Sequence, residues 1–120
     1  MLVAMHDYMR LEVAKRARAI VPLVYRITAR FPRCEEFVLT RQIRSATHSI
    51  GATLAEGAGR NTSGEFRQFV GYAIGSAYEL EWHCVSADQL GYLTPADKDE
   101  LMPVVIELKK MLYGFRESLG

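Results

Sequence analysis

The chain has 120 residues, 49% hydrophobic and 24% charged, with a net charge of +1 and a mean hydropathy of −0.03. That length suits one domain with one core, and no apolar run approaches the roughly 18–20 residues of a membrane span. The opening MLVAMHDYMR lacks the charged start and long apolar run of a signal peptide, so a cytoplasmic protein is expected; Cys34 and Cys84 are too few for a disulfide framework or zinc site and read as free thiols.

Charge is spread unevenly along the chain. Residues 1–70 hold 11 Lys or Arg against 6 Asp or Glu, a balance of +5, and residues 71–120 hold 4 against 8, a balance of −4. An anionic partner for the first part fits this asymmetry, and so does head-to-tail attraction between subunits.

The first predicted helix spans residues 8–31, with Val13, Ala17, Ile20, Val24, Ile27 and Phe31 recurring at helical spacing as its apolar seam. Pro22 falls inside it and predicts a kink or break on the outward face, because it lacks an N–H and crowds the preceding turn. Lys15, Arg18, Arg26, Arg30 and Arg33 share that outward arc. They read either as a solvated basic face or as a stripe neutralising successive phosphates.

After the turn Pro32-Arg33-Cys34, a second helix is predicted over 35–58, with Glu35 and Glu36 at the positive end of its dipole. Its seam is Leu39, Ile43, Ala46, Ile50 and Leu54, with Thr47 alongside. The reverse face, Arg41, Ser45, His48, Ala52, Ala55 and Gly59, is mostly small and would permit close contact with a neighbouring subunit. The loop GAGRNTSG at 57–64 reads as a tight turn between helices. A phosphate loop would need a preceding strand and a GK[ST] ending, and Arg60 is the residue that would convert the turn into an anion site.

The third helix, 62–90, organises the chain. Thr62 and Glu65 form a capping-box pattern, Phe66, Val70, Ala73, Ala77, Leu80, Cys84 and Ala87 make the seam with Phe69 beside it, and Gly91 marks the stop. The opposite face, Gln68, Gly71, Gly75, Tyr78, Trp82, Ser86 and Gln89, carries no charge, unlike an ordinary exposed helix face. Either it is buried within its own monomer or a helix of another subunit packs there. We take the second reading, with Gly71 and Gly75 allowing close backbone approach and Tyr78 and Trp82 supplying interface area.

Thr94 caps a fourth helix, 95–118, that opens on Pro95. Leu101, Val104, Leu108, Met111, Leu112, Phe115 and Leu119 form its seam, and Pro103 implies a local kink. Asp97, Asp99 and Glu100 near the start and Lys109, Lys110 and Arg116 toward the end suit the dipole. Four amphipathic helices with short connections predict an all-α, up-down-up-down four-helix bundle.

The run from Leu39 to Leu93 resembles the four-helix-bundle proteins encoded within 23S rRNA intervening sequences. The matching motifs are Gln42-Ile43-Arg44, Ser49-Ile50, Ala55-Glu56-Gly57, Gly59-Arg60, Glu65-Phe66, Phe69, Gly75-Ser76, Glu79-Leu80-Glu81 and Gly91-Tyr92-Leu93. ITARFPRCEEF upstream and KKML downstream fit the same pattern. Two departures stand out. Ile50-Gly51-Ala52-Thr53-Leu54-Ala55-Glu56-Gly57 lacks the family's usual proline and asparagine, which touches the geometry of the second helix, and Ala14 replaces a tryptophan common in the first.

The resemblance implies a homopentameric ring without catalytic residues. It also implies kinship with the accessory variability determinant of diversity-generating retroelements, a basic pentamer that binds nucleic acid and partners a reverse transcriptase. The near-neutral charge here suits the rRNA-associated branch better.

No catalytic constellation is expected. A di-metal bundle needs inward Glu residues with two Glu-x-x-His pairs, which are absent, so neither metal nor cofactor is expected. Glu79 and His83, four apart, read as a satisfied polar pair or as partners of Arg44. His48 lies on the outer face of the second helix and His6 in the N-terminal tail. Two functions remain open. One is an oligomeric RNA- or DNA-associated accessory protein using Lys15, Arg18, Arg26, Arg30, Arg33, Arg41 and Arg60 on phosphates, sequence-tolerant because no aromatics interleave these residues. The other is a ring-shaped scaffold for a protein partner, a reverse transcriptase or another, without nucleic acid.

Overall fold

The longest helix is fixed at both ends by its own sequence. Thr62 Oγ1 accepts the Glu65 N–H at 3.1 Å and its hydroxyl donates to Glu65 Oε1 at 3.2 Å. At the far end the Tyr92 N–H reaches back to the Ala87 carbonyl at 2.9 Å while Gly91 takes a left-handed φ of 76°, which a residue without Cβ adopts freely. The structure, a computed structural model, describes residues 5–120 and, at the N-terminus, side chains from Asp7 onward; the His6 side chain lies outside the described residues. It contains a 3-10 helix Met5–Arg10, α1 (Glu12–Thr28), a 3-10 turn Arg33–Glu35, α2 (Leu39–Ala58), α3 (Ser63–Gln89) and α4 (Pro95–Ser118). No strand occurs among the described residues.

α1 and α2 are shorter than the sequence periodicity suggests. Tyr8 belongs to the 3-10 segment and the extended Leu11 is the N-cap residue of α1; both pack on the core, so α1 begins at Glu12 and not at residue 8. At its other end Arg30 and Phe31 donate to the carbonyls three residues back, because the residue before Pro32 is pushed away from helical angles. Phe31 nevertheless stays buried. α2 begins at Leu39 and not at 35, since Glu35 serves the connection: its carboxylate accepts the Tyr92 hydroxyl at 2.9 Å and the Leu39 N–H at 3.4 Å. Pro22 and Pro103 are exposed, and α1 and α4 run through both without a break, as α2 does through Gly51.

Each helix packs against two others, α1 on α2 and α4, and α3 on α2 and α4, which places the four at the corners of a square. Cross-links show that neighbours are antiparallel. Tyr25 meets His48 and Arg44 meets Thr28 between α1 and α2, Ser49 meets Ser76 between α2 and α3, and Asp88 and Glu81 meet Lys98 and Lys109 between α3 and α4. The expected seam residues of the first three helices are buried, joined by Ala14, Thr28 and Ile74. In α4 the fully buried residue is Val105, with Val104 only half-buried. The stripe follows Leu101, Val105, Leu108 and Leu112, and two adjacent valines leave the period ambiguous.

α2 approaches α3 where Gly57 faces two phenylalanines. A Cβ at Gly57 would sit 2.7 Å from Phe69 Cβ and 2.9 Å from Phe66 Cδ1. Phe69 Cβ is fixed to the helix backbone and cannot swing aside. Gly57→Ala should therefore destabilise the protein by about 1–3 kcal/mol in urea denaturation. Gly51→Ala, with nothing within 4 Å of its would-be Cβ, should stabilise it by about 0.5–1 kcal/mol through helix propensity.

α1 is tied to α4 by charge. Arg26 Nη2 donates to Glu100 Oε2 and Arg30 Nη2 to Asp97 Oδ1, both at 2.7 Å. Asp97 is only 6% exposed, and its backbone N–H donates to the capping Thr94 Oγ1 at 3.0 Å. The Arg30 hydrogen bond holds its carboxyl below the ordinary aspartate value against the opposing effect of burial, with Thr94 helping. A depressed folded-state pKa gives stability that is present above the unfolded value and is lost as pH falls through the folded one. Asp97→Asn should thus reduce stability at neutral pH by about 1–2 kcal/mol, toward the lower end because Arg30 is half exposed. The gap from wild type should close as pH drops below about 4, as read by thermal melts across pH.

Candidate nucleic-acid interface and assembly face

The uncharged side of α3 is not covered by its own chain, which removes the reading that buried it inside the monomer. Trp82 is 67% exposed and Tyr78 46%, with Gln68, Gly75 and Gln89 also exposed and Gly71 and Ser86 half-buried. Lys109 Nζ sits 4.1 Å from the Tyr78 ring centroid, and the neighbouring Tyr78 phenol raises that of Tyr113 above its ordinary pKa. Val85 on α3 and Ile106 on α4 are exposed as well. Nothing lies within 4 Å of a Cβ built at Gly75, and only Arg116 Nη1 reaches 4.0 Å at Gly71. A glycine inside a helix costs roughly 1 kcal/mol relative to alanine, and the single chain supplies no packing reason for Gly75.

The seven cations singled out in the sequence do not form one stripe. Lys15 pairs with Glu12 at 3.3 Å, and Arg18 donates to the Met9 carbonyl at 3.0 Å at the mouth of a cleft of about 360 Å³ shared with Thr47 and His48. Arg26 and Arg30 turn the other way, to Glu100 and Asp97. Arg60 lies 3.4 Å from Glu56 and over the Phe69 ring at 4.7 Å. Arg33 and Arg41 are exposed and have no carboxylate partner among the described residues.

These last two line adjoining clefts. One, of about 530 Å³, is walled by Tyr25, Phe37, Arg41, Ser45 and His48, and the other, of about 130 Å³, by Phe31, Pro32 and Arg33; Glu36, Thr40 and Arg44 border both. Sequence reasoning missed Arg44, Tyr25 and Phe37 as members of this site, and the expectation that no aromatics interleave the cations fails here, where Tyr25 and Phe37 wall the cleft beside Arg41. Phe37-Val38-Leu39 is an apolar run in which the periodicity assigns only Leu39 to the core, and Arg44 was read as a partner of Glu79 or His83. Arg44 instead donates from Nε to Thr28 Oγ1 at 2.9 Å and lies over the Tyr25 ring at 4.3 Å. His83 Nε2 and Glu79 Oε2 pair with each other at 3.4 Å.

The remaining reactive groups are placed elsewhere. Burial, with the Glu81 charge adding to it, pushes the Cys84 thiol up to about 12, so it stays protonated at neutral pH, while Cys34 is exposed. Among the described residues no three His, Cys, Asp or Glu side chains gather to hold a metal ion, and no helix is long and apolar enough to cross a membrane.

Comparison with known proteins follows the same architecture. A solved structure of a protein of unknown function from the S23 ribosomal protein family, from Bacteroides thetaiotaomicron VPI-5482, superposes with a TM-score of 0.78 at 22% identity, covering 88% of this chain and 95% of that one. At that identity the likeness speaks for the fold. No curated protein matches the chain. The profile of the 23S rRNA-intervening sequence protein family matches residues 9–114. The chain belongs to the 23S rRNA-intervening sequence protein family.

Proposed function

We propose that this chain is a non-catalytic cytoplasmic accessory protein that assembles through α3 into a homo-oligomeric ring, a pentamer by resemblance, and holds the backbone of RNA or DNA. The observation that carries the nucleic-acid part is the sorting of its arginines. The acids of α4 neutralise Arg26 and Arg30, while Arg33 and Arg41, joined by Arg44, stay without carboxylate partners at the α1–α2 end of the bundle. Guanidiniums left free in this way suit phosphate oxygens. The family's description brings ribosomal RNA forward as the partner to try first. Lys15, Arg18 and Arg60 extend the contact, and a reverse transcriptase or another protein would be a further partner of the ring. The exposed α3 face, with a large aromatic pair beside an otherwise unexplained Gly75, supports the assembly.

Native mass spectrometry of protein purified at low salt without nuclease tests both parts. A pentamer carrying polynucleotide mass is expected, a bare pentamer would favour a protein scaffold, and a monomer would overturn the assembly. Trp82→Glu should yield soluble monomers with an intact helical spectrum. In filter binding the affinity should fall roughly tenfold or more between about 50 and about 200 mM salt if three arginines engage phosphate. Lys15→Glu with Arg18→Glu should weaken binding further, and a salt-insensitive complex would point to the scaffold.

A further inference from the structure

We infer that Tyr25, Phe37, His48, Arg41 and Arg44 form a receptor for one unstacked nucleotide of a single-stranded nucleic acid, with Arg33 placed for the adjacent phosphate. The inference rests on the polynucleotide reading above and assigns it a site. Its floor is built before any ligand arrives. Thr28 donates to the Val24 carbonyl at 2.8 Å and accepts from Arg44 Nε at 2.9 Å, so the guanidinium is held over Tyr25, its carbon 4.3 Å from the ring centroid, with no terminal amine hydrogen-bonded among the described residues. Tyr25 in turn is fixed by a 2.8 Å hydrogen bond between its hydroxyl and His48 Nε2, the two rings meeting edge to face at 5.6 Å. An aromatic ring held on one side by an arginine and on another by a histidine is a rigid platform.

The rim is equally unusual. Phe37, at the cleft wall, is 75% exposed, and Val38, directly before α2, is 61% exposed, although their neighbour Leu39 is buried. The fold itself draws nothing from Phe37. The opening, about 530 Å³, is of the size that takes a small ligand. The acids nearby are Glu35, which accepts from Tyr92 and the Leu39 N–H, and Glu36; against Arg33, Arg41 and Arg44 they leave a small positive balance.

Guanidiniums alone would also accept a carboxylate. An exposed phenylalanine beside them calls for a flat apolar face joined to an anion, and a nucleotide is that combination. Such a site takes any base, since every base has a π-face, and it needs the base out of a duplex.

Fluorescence anisotropy with a labelled single-stranded oligoadenylate of about twelve nucleotides, its deoxy counterpart and a duplex tests the assignment on the full chain. Phe37→Ala should weaken single-strand binding roughly tenfold at every salt concentration, leaving the salt slope unchanged, and Phe37→Tyr should restore it. Arg41→Ala should weaken binding and reduce the salt slope by about one. Equal affinity for the two strands would mean recognition by stacking and phosphate alone, and tighter RNA binding would add a contact to the 2′-hydroxyl; either supports the site. Because Phe37 is so exposed, its variants should melt as the wild type does. If Phe37→Ala and Arg41→Ala bind like the wild type while Lys15→Glu with Arg18→Glu does not, this site is wrong and the polynucleotide reading stands. If duplex binding shows the same Phe37 dependence, the unstacked-base assignment is wrong. Absence of any binding by the wild type at low salt overturns both.

Discussion

The closeness of α2 and α3 is the constraint on which the bundle depends. The chain has only four residues, 59–62, in which to turn between them, so their axes must already be near each other at the turn. Gly57 permits this by offering no side chain to Phe66 and Phe69, and farther along Ser49 and Ser76 meet hydroxyl to hydroxyl at 2.8 Å. Small residues on both helices thus set the separation, and dispersion contacts along a close pair are correspondingly dense. α1 and α4 then close the square over the remaining apolar stripes. α3 buries one side against α2 and α4 and lies diagonally across the core from α1, which leaves its opposite side exposed.

Electrostatics does a different task. The N-terminus of α4 collects Asp97 and Glu100, where negative charge suits the helix dipole, and the same carboxylates receive Arg30 and Arg26 from the end of α1. One set of acids therefore stabilises a helix terminus and closes the bundle between its first and last helices. The pairing also redistributes the charge asymmetry of the chain: part of the positive excess of residues 1–70 is neutralised by α4, and what is left divides between Arg33, Arg41 and Arg44 beside the α1–α2 connection and Arg10, Arg16 and Arg18 toward the start of α1. Lys98–Asp88 and Lys109–Glu81 perform the equivalent closure between α3 and α4.

Much of this was legible from spacing. The seam of α3, from Phe66 to Ala87, follows the 3.6-residue period without interruption, and every member is buried. Its caps and the start of α4 were legible because Thr62, Glu65, Gly91 and Thr94 act through bonds to near neighbours. What failed were features with no local signature. The start of α2 depends on Glu35 being held by Tyr92, 57 positions away, and the fate of Arg26 and Arg30 depends on acids 74 and 67 positions away. A one-dimensional stripe of cations on α1 therefore divides in space, Arg18 toward α2 and Arg26 toward α4. Val104 and Val105 show the remaining weakness: with two adjacent valines, periodicity cannot say which one the neighbouring helices cover.

The residues that matter for function are better separated by asking which of them the fold itself accounts for. Gly57 is accounted for by Phe66 and Phe69; Gly75 is not accounted for by anything in its own chain. Arg30 has Asp97, whereas Arg41 has no carboxylate. Phe66 fills the core at 1% exposure and Phe37 fills nothing. In each pair the residue type is the same and its context opposite, so composition and propensity cannot distinguish the members. The second members fall in two places, the α3 face and the cleft at the α1–α2 end, and none of the three residues makes a side-chain hydrogen bond, ion pair or ring contact among the described residues. Two of them are residue types that are unfavourable without a partner, an aromatic left in water and a glycine inside a helix, and the third is an exposed guanidinium with no carboxylate partner among the described residues. The readings proposed above account for these residues through binding, assembly at the first surface and an aromatic anion at the second.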